Sequence, residues 1–156
     1  MLREVVLAQL LYKAIFFDLG LTLVGQDTAH WNPGAPALLS HLRTAGVKLG
    51  IISNTGDMTR AQLQSHLPTD FRFTSFDAAL ILLSSELHLV KPDPAIFRLA
   101  VTKAGVPANQ CLYCSEDLVE TLAAQRIGMK AARLIPPPGS DLSKLKDALA
   151  RVAGLH

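Results

Sequence analysis

One short stretch limits the fold more than any other: Lys13-Ala14-Ile15-Phe16-Phe17, apolar without a break after the lysine and ending on Asp18. A half-exposed strand alternates apolar and polar residues. A strand without alternation is buried on both faces, the condition of a strand inside a parallel sheet covered by helices. The chain repeats the arrangement. Val47 to Ile52, Ala78 to Leu83, Cys111 to Cys114 and Lys130 to Ile135 read as four further strands. Between them lie helical stretches: Pro36 to Ala45, stopped by Gly46; Thr59 to Leu67, closed by Pro68; Asp93-Pro94 to Ala104, closed by Gly105; and Leu118 to Arg126. Strands alternating with helices specify a three-layer α/β architecture, a central parallel five-stranded sheet flanked by helices.

The 156 residues suit a single domain, 1–156. Pro136-Pro137-Pro138-Gly139 reads as a stiff connector at 136–139. It leads to a last helix that docks through Leu142, Leu145, Leu149 and Val152. The apolar run Val5 to Tyr12 is too short to span a membrane and lacks a small-residue cleavage site, so a cytoplasmic protein without a membrane partner is expected. The 15 basic and 13 acidic residues are spread along the chain and give no electrostatic case for nucleic acid. Cys111 and Cys114 have C-x-x-C spacing, but residues three apart in a strand point to opposite faces, which argues against a redox or metal pair. The five histidines, His30, His41, His66, His88 and His156, lack the spacing of zinc ligands.

In open α/β sheets, ligands collect beyond the carboxyl ends of the strands. Asp18, Ser53 and Ser115-Glu116 all fall at such ends, and Lys91 lies on a loop within reach. A single site holding a carboxylate, a hydroxyl and an ammonium is therefore expected.

These four stretches, in this order, resemble the four motifs of the haloacid dehalogenase (HAD) superfamily. The strand with D-x-D-x-T is matched by Phe17-Asp18-Leu19-Gly20-Leu21-Thr22. The Ser or Thr after an apolar strand is matched by Ile51-Ile52-Ser53-Asn54. The lysine before a helix is matched by Lys91-Pro92-Asp93-Pro94, and the acidic cluster by Cys114-Ser115-Glu116-Asp117 with Glu120 a turn later. The resemblance covers essentially the whole chain. It implies a Rossmann-like HAD fold and a catalytic set of Asp18, Ser53 and Lys91, with Asp18 attacking phosphorus to form an aspartyl-phosphate. It further implies substrate contacts from Thr22 and Asn54. Mg²⁺ would be held by Asp18, the Gly20 carbonyl, Glu116 and Glu120, with Asp117 an alternative second acid. The physical reason for such a set is charge: attacker and phosphate are both anions and need cations between them.

The pattern departs from the family at two places. Gly20 stands where active phosphatases carry the aspartate that serves as acid and base, a role worth about 10²–10⁴-fold. Leu21 replaces the usual glycine beside it, and Ser115-Glu116 replaces Gly-Asp. Three readings follow: a weak Mg²⁺-dependent phosphatase, an inactive binding or interaction module, and, well behind, a 2-haloacid dehalogenase. The 35 positions from Asp18 to Ser53 and the 38 from Ser53 to Lys91 leave no room for a cap domain. An open site implies a phosphorylated small molecule or macromolecule as substrate, with a homo-oligomer or partner protein to complete it. The loop Val24 to Asn32 is the one local candidate for a lid, with Trp31 more simply read as packed against a neighbour.

Overall fold

The computed structural model describes residues 12–134, so the connector at 136–139, the last helix and the N-terminal apolar run before Tyr12 lie outside the described residues. Five strands form one parallel sheet: β1 (Ala14–Phe17), β2 (Lys48–Ser53), β3 (Ile81–Leu83), β4 (Cys111–Ser115) and β5 (Lys130–Arg133), in the order β3-β2-β1-β4-β5. The wholly apolar strand β1 lies at the centre, and all four of its residues are buried.

Successive side chains of each strand enter different layers, as period-two geometry demands. Ile15, Phe17, Leu49, Ile51 and Cys114 join the core beneath α1 (Ala35–Thr44) and α2 (Arg60–His66), where Leu38, Leu42, Leu63 and Phe71 meet them. Ala14, Phe16, Ile52, Cys111 and Tyr113 join the opposite core. There α4 (Pro94–Ala104) supplies Ile96, Phe97 and Ala100, and α5 (Leu118–Arg126) supplies Ala123 and Ala124. The two cysteines thus lie on opposite faces of β4. Burial raises both thiols, Cys111 to about 11.

Local chemistry sets the boundaries. Thr59 and Gln62 form a capping box at the start of α2. Asp93 caps α4 with Pro94 at its first position, and Gly105 ends that helix in the left-handed region. Gly50 is a position of close approach: a Cβ there would lie 2.5 Å from the Phe16 ring and 2.7 Å from the Leu80 carbonyl oxygen. The third strand is shorter than Ala78 to Leu83. Residues Ala78–Leu80 form a 3₁₀ turn, and only Ile81–Leu83 pair with β2. Asp77 causes the difference, because its backbone N–H donates to the Leu49 carbonyl while its carboxylate accepts from the Leu49 N–H. That pair of hydrogen bonds fixes a turn before the edge strand can begin. A short helix α3 (Ser84–Leu87) follows. Among the described residues, no helix is long and apolar enough to cross a membrane.

Candidate active site

Phe17 pairs with Ile51 and with Cys114, so Asp18, Ser53 and Ser115 leave three adjacent strands at the same end of the sheet. The Asp18 backbone N–H donates to the Cys114 carbonyl at 3.1 Å, extending the ladder by one residue and fixing the carboxylate's root. Asp18 Oδ1 accepts from the Leu19 N–H at 2.8 Å and lies 3.0 Å from Lys91 Nζ.

Lys91 comes from the loop between α3 and α4, and Asn54 holds it there. The Lys91 N–H donates to Asn54 Oδ1 at 2.8 Å, and Asn54 Nδ2 donates to the Lys91 carbonyl at 3.0 Å. Asn54, expected to touch substrate, spends both ends of its amide on the backbone of the lysine. Ser53 Oγ, in a buried residue, has no hydrogen-bond partner among the described residues. A buried hydroxyl left open at a strand end is a donor available to an anion.

Around Lys91 the contacts are complete. An ammonium has three N–H donors. They face Asp18 Oδ1, Glu120 Oε1 at 2.5 Å and Tyr113 Oη at 2.9 Å. The lysine side chain is 2% exposed and that of Asp18 12%. Burial pushes the Asp18 carboxyl up from 3.8 to about 6; Lys91 pulls it down, while Glu120 and then Glu116 push it up.

The opposite side of the site is looser. Glu116 Oε2 accepts from Thr22 Oγ1 at 3.1 Å and from Ser115 Oγ at 3.3 Å. Thr22 is therefore placed behind Glu116, and its own carbonyl accepts from Asn32 Nδ2 at 2.7 Å. Asp117 caps α5, its Oδ1 accepting from the Glu120 N–H at 3.0 Å. An ideal Cβ at Gly20 has nothing within 4 Å, so the position opens on empty space. Leu21 holds φ 61, the left-handed conformation that glycine enters freely and that costs another residue about 1–2 kcal/mol. The turn thus keeps its glycine-like shape after glycine is gone. Trp31 stacks on Phe71 at 5.4 Å and donates from Nε1 to Asp70 at 2.7 Å, while Val24 bridges to it. It anchors its loop to the body and does not cover the site as a lid.

Mg²⁺ takes oxygen donors, commonly one or two carboxylates completed by water and substrate phosphate. Asp18 Oδ2 and Glu116 Oε1 accept no protein hydrogen bond among the described residues, and the two groups are close enough for their charges to interact. With the Gly20 carbonyl, that donor set fits Mg²⁺. Glu120, whose charge acts on Asp18 more strongly than that of Glu116, spends its Oε1 on Lys91 and Tyr113. Among the described residues, no cluster of three or more His, Cys, Asp or Glu side chains forms a metal cage.

Sequence reasoning missed Tyr113 and Asn32. The signal for Tyr113 was a phenol inside an otherwise apolar strand, since a buried hydroxyl requires a partner.

A family profile described as haloacid dehalogenase-like hydrolase matches residues 14–128. A phosphoglycolate phosphatase of Pseudomonas fluorescens is 32% identical over 104 residues, 65% of this chain and 36% of that protein. A (S)-2-haloacid dehalogenase 4A of Burkholderia cepacia is 28% identical over 117 residues, 73% of this chain and 48% of that protein. The chain thus spans less than half the length of these relatives. A HAD family enzyme of Bacteroides thetaiotaomicron, an alanine variant solved with magnesium and inorganic phosphate, superposes with TM-score 0.65. It is 17% identical over 86% of this chain and 98% of that one, a likeness of fold.

Proposed function

Because the chain belongs to the haloacid dehalogenase-like hydrolase family, we propose that it is a slow phosphomonoesterase whose Asp18 attacks phosphorus. The observation that carries this reading is the Lys91 ammonium 3.0 Å from the Asp18 carboxylate, beyond the carboxyl end of the sheet. A unit charge pair near 4 Å contributes about 4 kcal/mol at an effective dielectric near 20, which offsets part of the repulsion between a phosphate and an anionic attacker.

The chemistry runs in two steps. The Asp18 oxygen not bound to Lys91 forms a bond to phosphorus as the ester P–O bond breaks, and the departing oxygen takes its proton from water. Water then attacks the aspartyl-phosphate and releases inorganic phosphate. The Ser53 hydroxyl donates to a phosphoryl oxygen in both steps. Mg²⁺, held by Asp18, the Gly20 carbonyl and Glu116, would neutralise phosphoryl charge when bound. With Asp18, Glu116 and Glu120 set against Lys91, the site is anionic without such a cation, which supports the requirement. No side chain at position 20 protonates the leaving group. Aryl and acyl phosphates, which depart without much help, are the favoured substrates and alkyl phosphates the poor ones. We read the site as capless, closed by a large substrate or by a second subunit.

Two substrates decide the matter. With Mg²⁺ present, an aryl phosphate should turn over about 10²-fold faster than an alkyl phosphate, and Asp18→Asn should abolish both. Equal rates on the two esters would remove the role assigned to Gly20. A second reading, a binding module without turnover, is favoured by the full occupation of the Lys91 donors. Beryllium fluoride with Mg²⁺ discriminates: thermal stabilisation that Asp18→Asn abolishes supports a working nucleophile, and its absence supports the module. Chloride release from a 2-haloacid would instead align the chain with its dehalogenase relative.

A further inference from the structure

Tyr113 lies in the middle of β4 and is wholly buried, yet it carries a hydroxyl whose polarity its neighbours dictate. A phenol has one hydrogen. That hydrogen goes to Glu120 Oε1 at 2.9 Å, which leaves a lone pair to accept from Lys91 Nζ at 2.9 Å. Glu120 Oε1 also receives Lys91 directly, so ammonium, phenol and carboxylate close a ring of three hydrogen bonds. Burial first, then the charges of Asp18 and Glu120, push the phenol's pKa well above 10, so it stays neutral and keeps that polarity. The ring of Tyr113 is held edge-on by Phe97 of α4 at 5.1 Å, which ties it to the helix that follows the lysine loop.

We propose that Tyr113 is a positioning residue for the lysine beside the nucleophile: with Glu120 it fixes two of the three Lys91 donors and thereby aims the third at Asp18. This rests on the hydrolase reading of the same site. A long, flexible lysine has no geometry of its own, and without the phenol its head can turn about the Glu120 contact. The cost falls on the alignment of nucleophile and cation, and less on the attraction of substrate into the site.

Tyr113→Phe removes only the oxygen and keeps the Phe97 contact. The test has a readout that does not depend on turnover: reductive methylation of lysines, followed residue by residue by mass spectrometry. In the variant, Lys91 should be modified about fivefold faster while the other lysines keep their rates, because a buried ammonium that has lost an acceptor opens more often. On an aryl phosphate with Mg²⁺, kcat should fall about tenfold while KM moves less than about threefold. Unchanged labelling of Lys91 overturns the proposal whatever the activity, and so does faster labelling of every lysine, which reports general loosening. Faster labelling of Lys91 with kcat unchanged also overturns it. If Lys91 loosens as expected but the parent hydrolyses no phosphate ester, Tyr113 still positions the lysine and the hydrolase reading is what fails.

Discussion

The two halves of the site are built to different standards. On the lysine side, every donor of Lys91 has an acceptor, Asn54 brackets its backbone with two hydrogen bonds, and the lysine side chain itself is buried. On the other side, Gly20 faces open space, and Glu116 keeps one oxygen free of protein partners among the described residues. A buried charge network is unforgiving of losing its cation, since that leaves Asp18 and Glu120 facing each other unpaired. An edge that opens on solvent depends on water and substrate to complete it and tolerates substitution. The departures from the family pattern fall where tolerance is greatest.

That contrast is most sharply tested at Lys91. Lys91→Met keeps much of the aliphatic stem but leaves Asp18 and Glu120 buried near each other without a cation. Loss of one partner from such a pair costs about 3–5 kcal/mol, to be read as a lower urea midpoint, with turnover down about 10²-fold or more. A variant as stable as the parent would mean that the lysine side is no tighter than its counterpart.

Gly20→Asp probes the other half. The ideal Cβ meets nothing within 4 Å, so the aspartate enters without displacing anything. An acid restored at the leaving-group position should raise aryl phosphate turnover about tenfold, and alkyl phosphate turnover by more, towards the 10²–10⁴ range of general acid catalysis. If neither rate rises, the erosion extends beyond position 20, and the looser half is disabled as a whole.

Asp18 sits where the halves meet, and its carboxyl carries the strain of both. It binds its proton more tightly folded, near 6, than at the ordinary 3.8. Its contribution favours the folded state fully below 3.8 and is lost as the pH rises through about 6. Without divalent cation, Asp18→Asn should therefore gain stability over the parent above pH 6, by about 1–3 kcal/mol, and lose that advantage near pH 4. Melting curves at the two pH values measure it. A constant offset would show that Lys91 already compensates the buried carboxylate.

Much of this was legible in the sequence, for reasons that particular residues make plain. The unbroken apolar run before Asp18 marked a strand covered on both faces, and the sheet order puts that strand at the centre. Strand ends then located Asp18, Ser53 and Ser115, since a parallel sheet opens at one edge only. What the linear order concealed was where loops fold back. Asn54 follows Ser53 and reads as a substrate contact, yet the Lys91 loop returns to occupy both ends of its amide. Glu120 follows the acidic cluster and reads as a metal ligand, yet one turn of α5 carries it to the lysine. Asp77, whose side chain and backbone both engage Leu49, shortened a strand that apolar content alone would have extended.

The smallest expected effect lies at Thr22, and it bears on whether the looser half retains any order of its own. Thr22 Oγ1 donates to Glu116 Oε2 from a fully buried position, and its carbonyl is held by Asn32. Thr22→Val preserves shape and removes that one hydrogen bond, which should cost about 1 kcal/mol of stability. Glu116 would then keep only the longer contact from Ser115 at 3.3 Å, and its free oxygen would be less well aimed. The Mg²⁺ concentration for half-maximal turnover should rise about threefold, within the 10–100-fold ceiling for loss of a group that orients a metal ligand. An unchanged requirement, with the stability loss still present, would show that water and substrate alone organise the metal edge. Thr22 would then be a core residue whose hydroxyl needed a partner and found the nearest carboxylate.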